Sequence, residues 1–189
     1  MFKTYRALPQ GYALKRSIDM QQNKWEMLLL NIGSLLLFIV VGTLWTLFIS
    51  PLAGDFVMLF LFFILAVVNI IVHEFIHAIF FKLGETKKVR FKFHGFAASA
   101  SVPDHLFQKH HYIIIGLAPF IILGVVYALF AIGSALFLPS WWLTLAGLIM
   151  ALHISGCIGD LYVTLLLLRY PKDTLIKDYG IGMHFYTNT

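Results

Sequence analysis

Charge is what this sequence has least of: 12% of its 189 residues are Asp, Glu, Lys or Arg, about half the ~25% of an ordinary soluble domain. So few solvating groups exclude an ordinary soluble globule and point to a bilayer as solvent. Cysteine is scarcer still. The single Cys157 has no partner for an intramolecular disulfide, and its apolar surroundings read as those of a small packing residue rather than a nucleophile. Also missing is a short apolar stretch ending in a small-residue cleavage site after the polar opening MFKTYRALPQGYALKRSIDMQQNK, so no cleaved leader is expected. The formal charge of +5 forms no aromatic-interleaved basic stripe. Its cations flank apolar runs, a pattern of membrane topology that gives no nucleic-acid partner.

What is present is apolar. Hydrophobic residues make up 60% of the chain and the mean hydropathy is +0.84. Four apolar stretches, 27–49, 56–81, 112–138 and 141–168, are each long enough to cross a bilayer as a helix. The expected fold class is an all-α membrane protein: a single domain over 1–189, built as a four-transmembrane-helix bundle with a polar segment 1–25 before it and a tail 169–189 after it. Pro51 with Gly54, and Pro139 with Ser140, mark tight turns between antiparallel spans. Trp45, Trp141 and Trp142 suit an interfacial aromatic belt. All 14 Lys and Arg fall before span one, between spans two and three, or after span four. By the positive-inside rule that side is cytoplasmic, which places both termini and the central loop in the cytoplasm of a multi-pass cell-membrane protein.

The central loop reads differently from the spans. Val89 to Phe93 alternate apolar and polar, His94-Gly95 supplies a turn, and 96–102 is a second short extended run. A β-hairpin-like loop is expected at the cytoplasmic face, with Val89, Phe91, Phe93 and Phe96 as candidate substrate contacts. A basic linker attracted to lipid head groups is the alternative. His94, His105, His110, His111 and His184, with Asp104 and Asp178, lie outside the spans and read as surface or turn residues.

Inside span two stands His73-Glu74-Phe75-Ile76-His77. Helical residues four apart share a face with Cβ atoms about 5–6 Å apart, so His73 and His77 can direct two imidazole nitrogens at one metal ion. Glu74 has the position of a base that takes a proton from a water acidified by the metal. Ionisable groups at bilayer depth cost ~2.5–3.5 kcal/mol on insertion scales, so three within five residues call for a partner, and a metal ion is the simplest.

A catalytic zinc usually has three protein ligands. Span four offers His153 and Asp160. Both spans run outside to inside. His77 lies five residues before Lys82 and Asp160 nine before Arg169, so at 1.5 Å per residue their depths differ by about 6 Å. Asp160 is the expected third ligand. His153, about 10 Å farther out, is expected to support the ligands or line the substrate path, to be an alternative ligand, or to be a hydrogen-bonded interior histidine. The small residues of Gly156-Cys157-Ile158-Gly159-Asp160-Leu161 would let another helix approach closely.

These residues resemble the site-2 protease class of intramembrane metalloproteases and, more narrowly, small bacterial zincin-type membrane proteins with HExxH in a four-span core. The resemblance implies one Zn2+ ion held by His73, His77 and Asp160, Glu74 as catalytic base, and a hairpin that holds substrate extended. It also implies transmembrane protein or peptide substrates. The chain departs from that class in having Gly159 before Asp160 and no Asn-Pro, and Gly116-Leu117-Ala118-Pro119-Phe120 lacks the following Asn; no oxyanion donor is identified. Two other readings stay open: a non-proteolytic membrane metal-binding or transport protein, and a protease-derived binding factor.

Overall fold

A computed structural model describes residues 2–19, 22–50, 54–84, 86, 88–93, 98–180 and 182–188. Pro51, Lys87, His94, Gly95 and Phe96, which the sequence reading gave a turn, a cation and a substrate contact, lie outside the described residues.

The apolar runs form helices α1 (Lys24–Phe48), α2 (Phe56–Lys82), α3 (Lys109–Phe137), α4 (Ser140–Gly156) and α5 (Ile158–Leu168). The first two have side-chain caps: Asn23 accepts from Glu26 N–H at 3.2 Å and Asp55 from Met58 N–H at 3.1 Å, satisfying donors that a helix start leaves free. α1 to α3 are long and apolar enough to cross a membrane; α4 and α5, bent by 41° at a short break, make a fourth if taken as one broken span. Leu36, Phe60, Phe63, Ile121 and Leu129 stand exposed along these helices. Such side chains suit a lipid solvent and would aggregate in water.

α1 buries no residue of its own and is fastened by polar contacts. Ser34 Oγ donates to Ser155 O at 2.9 Å, Trp45 Nε1 donates to Leu143 O at 3.2 Å, and the Tyr162 hydroxyl donates to the Glu26 carboxylate. The Trp45 indole occupies the space a Cβ would need at Gly147, the close approach that small residues give helices in lipid.

The remaining segments are strands, and the expectation of an all-α protein is corrected by them. β1 (Thr4–Tyr5), β2 (Tyr12–Asp19), β5 (Leu106–Gln108), β6 (Leu175–Asp178) and β7 (Gly182–Asn188) form one antiparallel sheet in the order β1-β5-β6-β7-β2. Segments 1–25 and 169–189, read as polar flanks, supply four of these five strands. The longest pairing sets Tyr12 against Asn188, across nearly the whole chain. β6 turns into β7 at Gly180, whose φ of +99° only glycine adopts freely. The sheet closes one end of the bundle. Ile18, Phe107, Ile176 and Phe185 pack with Phe81, Tyr112, Ile115, Leu166 and Leu167 at the ends of α2, α3 and α5. Each fully buried apolar side chain there contributes on the order of 1.5–3 kcal/mol. Phe2 N–H donates to Leu83 O at 2.9 Å, which ties the N-terminal segment to the end of α2.

Between α2 and α3, β3 (Arg90–Phe93) and β4 (Ala98–Ser101) pair antiparallel, where the alternation of the sequence placed a hairpin. Trp141 and Trp142 stack at the start of α4 with centroids 4.3 Å apart.

Candidate metal centre

α2 is apolar nearly all round, yet Asn69, His73 and His77 recur at the helical spacing of four and so line one face. The buried Asn69 side chain accepts from the Tyr127 hydroxyl of α3 at 2.9 Å. One and two turns further, His73 and His77 bring their Nε2 atoms to 3.1 Å from each other.

Asp160 meets them from α5. The break at Cys157 interrupts what the sequence reading took as one helix over 141–168, and Asp160 falls in the first turn of the new helix, where a negative charge is favoured by the unpaired N–H groups and the helix dipole. Its Oδ2 lies 3.1 Å from His73 Nε2 and its Oδ1 3.5 Å from His77 Nε2. Tetrahedral coordination with bonds of ~2.0–2.1 Å sets donor atoms about 3.3 Å apart, so the triangle His73, His77 and Asp160 has the size of one face of such a site. These three form a set able to hold a metal ion.

The tautomers fit as well. His77 Nδ1 donates to Ile115 O at 3.0 Å, which leaves Nε2 with its lone pair toward the centre, the arrangement that orients a ligating histidine. That carbonyl is free for a definite reason. In a helix Ile115 O would accept from the N–H four residues on, and that residue is Pro119, buried inside α3, which has no N–H to give.

Glu74 projects beside the triangle. Its Oε2 accepts from Ala100 N–H of β4 at 2.6 Å, so the carboxylate stands between the histidines and the hairpin. Of the hairpin residues named from sequence, Phe91 and Phe93 are exposed and Val89 packs against the core under the sheet. Val89 and Phe91 line a groove of about 380 Å³ with Phe75, Ile79 and Lys82 of α2.

His153 is buried on α4, and its Nε2 donates to Phe120 O at 3.2 Å. Its ring is 6.4 Å from that of His73, with Cys157 between them: the Sγ lies 3.9 Å from His73 Nδ1 and 3.8 Å from His153 Nδ1. The apolar neighbours of Cys157 in sequence indicate packing only; its spacing of four from His153 is the signal that sets it beside the imidazoles.

Two further expectations are corrected. Asp178, read as a surface residue, is buried: it accepts from the Tyr112 hydroxyl at 2.7 Å and from Gly180 N–H at 2.6 Å. Burial pushes its carboxyl up to about 6, against the pull of these two donors. His105 is buried too, and burial holds its imidazole below the usual histidine range.

No curated protein and no solved structure matches the chain. A family model described as "Putative zincin peptidase" matches residues 66–175, from two turns before His73 in α2 to the first residue of β6. The name of that family implies a zinc ion, and the donor set His73, His77 and Asp160 suits one in chemistry and spacing. The match takes in every residue of this centre and more than half of the chain, and the chain belongs to this family of zincin-type, metal-dependent peptidases.

Proposed function

We propose that the chain is a zinc-dependent endopeptidase of HExxH type that cuts transmembrane proteins or peptides within or beside the membrane, near its cytoplasmic face. The observation that carries this reading is the meeting of His73 Nε2, His77 Nε2 and the Asp160 carboxylate with Glu74 held alongside by a strand of the hairpin. A bound zinc ion would acidify a water molecule and polarise the scissile carbonyl.

The protein's own groups do the rest. His73, His77 and Asp160 would hold the ion between them. The Glu74 carboxylate takes the proton of the attacking water and passes it to the departing amide nitrogen, and Ala100 N–H keeps that carboxylate pointed at the site. A substrate helix must unwind before its peptide bond reaches these groups, and pairing along an extended strand offers replacement hydrogen bonds for the freed backbone. The groove beside Phe91 and Val89 suits apolar side chains of such a segment.

The cytoplasmic placement rests on the Lys and Arg distribution. It is supported by the sheet, which joins the N-terminal, central and C-terminal segments at one end of the bundle.

Purified protein with a panel of transmembrane peptides tests the proposal. Cleavage should vanish on chelation and return with zinc, and Asp160→Asn should lose most of its zinc and its activity together. Cleavage that survives chelation, or an Asp160→Asn variant with full zinc content, would overturn it.

A further inference from the structure

The break between α4 and α5 does more than deliver Asp160. It turns Cys157, fully buried, toward two imidazoles, so that Sγ and one ring nitrogen of each of His73 and His153 form a second group of donor atoms, all within 4.8 Å of one another. The Sγ distances of 3.9 Å to His73 and 3.8 Å to His153 are long for hydrogen bonds. They equal the spacing of about 3.8 Å that a three-coordinate ion imposes on sulfur and nitrogen donors with bonds of ~2.3 and ~2.0–2.1 Å. His153 gives its Nε2–H to Phe120 O, so its Nδ1 carries the lone pair; the sulfur lies 3.8 Å from Nδ1 and 4.0 Å from Nε2, against the ring, and ligation requires the Cys157 side chain to turn toward Nδ1.

We infer that Cys157, His153 and His73 form a second metal site, selective for a soft, thiophilic ion such as Cu(I), whose occupation removes His73 from the zinc-type centre. Thiolate with imidazole in low coordination number is the donor set that soft ions prefer. The exclusion follows from His73 itself. A neutral imidazole has one lone-pair nitrogen. With Nε2 turned to His77 and Asp160, Nδ1 keeps its proton and can only donate it weakly to Cys157. When Cu(I) binds outward, the Cys157 thiol releases its proton to solvent and the His73 proton moves from Nδ1 to Nε2, so the inner set is left with His77 and Asp160 alone. No oxidation is involved. The two sites share one ring and are filled in alternation, which makes the outer one inhibitory. This rests on the inner triangle being a metal site, but the outer site has its own signature.

The test uses the full chain, purified in detergent, zinc-loaded, free of oxygen and titrated with Cu(I). A thiolate-to-copper charge-transfer absorption and zinc released to a chromogenic chelator are followed together. The wild type should develop the absorption to saturation at one Cu(I) per chain and release its zinc in step. Cys157→Ser and Cys157→Ala should show no absorption and keep their zinc at the same copper concentration. His153→Ala should need roughly tenfold more copper. Asp160→Asn, lacking the inner carboxylate, should still develop the absorption. Zinc retained by copper-saturated wild type would overturn the inference, as would equal zinc release from the Cys157 variants or loss of the absorption in Asp160→Asn. A wild type that takes up no zinc would remove the inner reading, while dependence of the absorption on Cys157 and His153 would still decide the outer one.

Discussion

Pro119 shows how a residue with no chemistry of its own shapes this centre. By withholding an N–H it frees the Ile115 carbonyl, and His77 uses that carbonyl to fix its tautomer and ring orientation. Pro119→Ala would restore the helical donor, which then competes for Ile115 O. Loss of such an outer partner typically weakens metal binding about 10–100-fold, so competition with a chelator should show zinc affinity falling by that factor. An unchanged affinity would mean that His77 is held by packing instead. At this scale much was legible in sequence. The pair His73 and His77 follows from helical spacing, and Asp160 from its depth in the last span. The hydrogen bond from His77 was not legible, because a carbonyl acceptor leaves no mark in the residue alphabet. Cys157 was discounted because its neighbours in sequence are apolar, whereas its neighbours in space are imidazoles.

Among the elements, the long apolar helices announce themselves by length and composition, and the hairpin of β3 and β4 by strict alternation over a few residues. Two features could not be read that way. The bend at Cys157 lies within a run that is apolar on both sides, and the glycines at 156 and 159 are as consistent with close helix packing as with a break. The five-stranded sheet pairs segments far apart in sequence, and none of its strands carries enough alternation alone to stand out from a polar flank. The sheet has a testable electrostatic signature at Asp178, on the last position of β6. Because burial raises its folded pKa to about 6, the fold favours the protonated form. The stabilisation is complete below the ordinary carboxylate range and is lost as pH rises through about 6. Asp178→Asn keeps a neutral group of similar shape, so its stability in detergent should stay flatter than that of the wild type between about pH 4 and pH 7. The difference should reach on the order of 2–3 kcal/mol, at 1.36 kcal/mol per pKa unit. A wild type as flat as the variant would contradict this account of Asp178.

For the molecule as a whole, the sheet and the bundle divide the labour. The bundle carries the donor residues; the sheet packs against the ends of α2, α3 and α5, within one or two turns of His77 and Asp160, and gives those helices a footing. If the end bearing the sheet is cytoplasmic, a cysteine introduced at Ser140 should react with a membrane-impermeant maleimide in intact cells, and one at Lys172 only after permeabilisation. The opposite pattern would invert the proposed orientation. The membrane class was legible from the shortage of charge alone, since 12% charged residues cannot solvate a globule of this size. Family membership adds that the chemistry is peptidase chemistry, and the geometry assigns the centre a set of donors and an adjacent carboxylate. The measurement that tests this most directly is zinc content and transmembrane-peptide cleavage on the same preparations of wild type and Glu74→Gln. Removing a general base that is not a ligand should leave zinc at the wild-type level and lower the cleavage rate by at least about 10²-fold, whereas cleavage at the wild-type rate by a zinc-loaded Glu74→Gln protein would contradict the role given to this site.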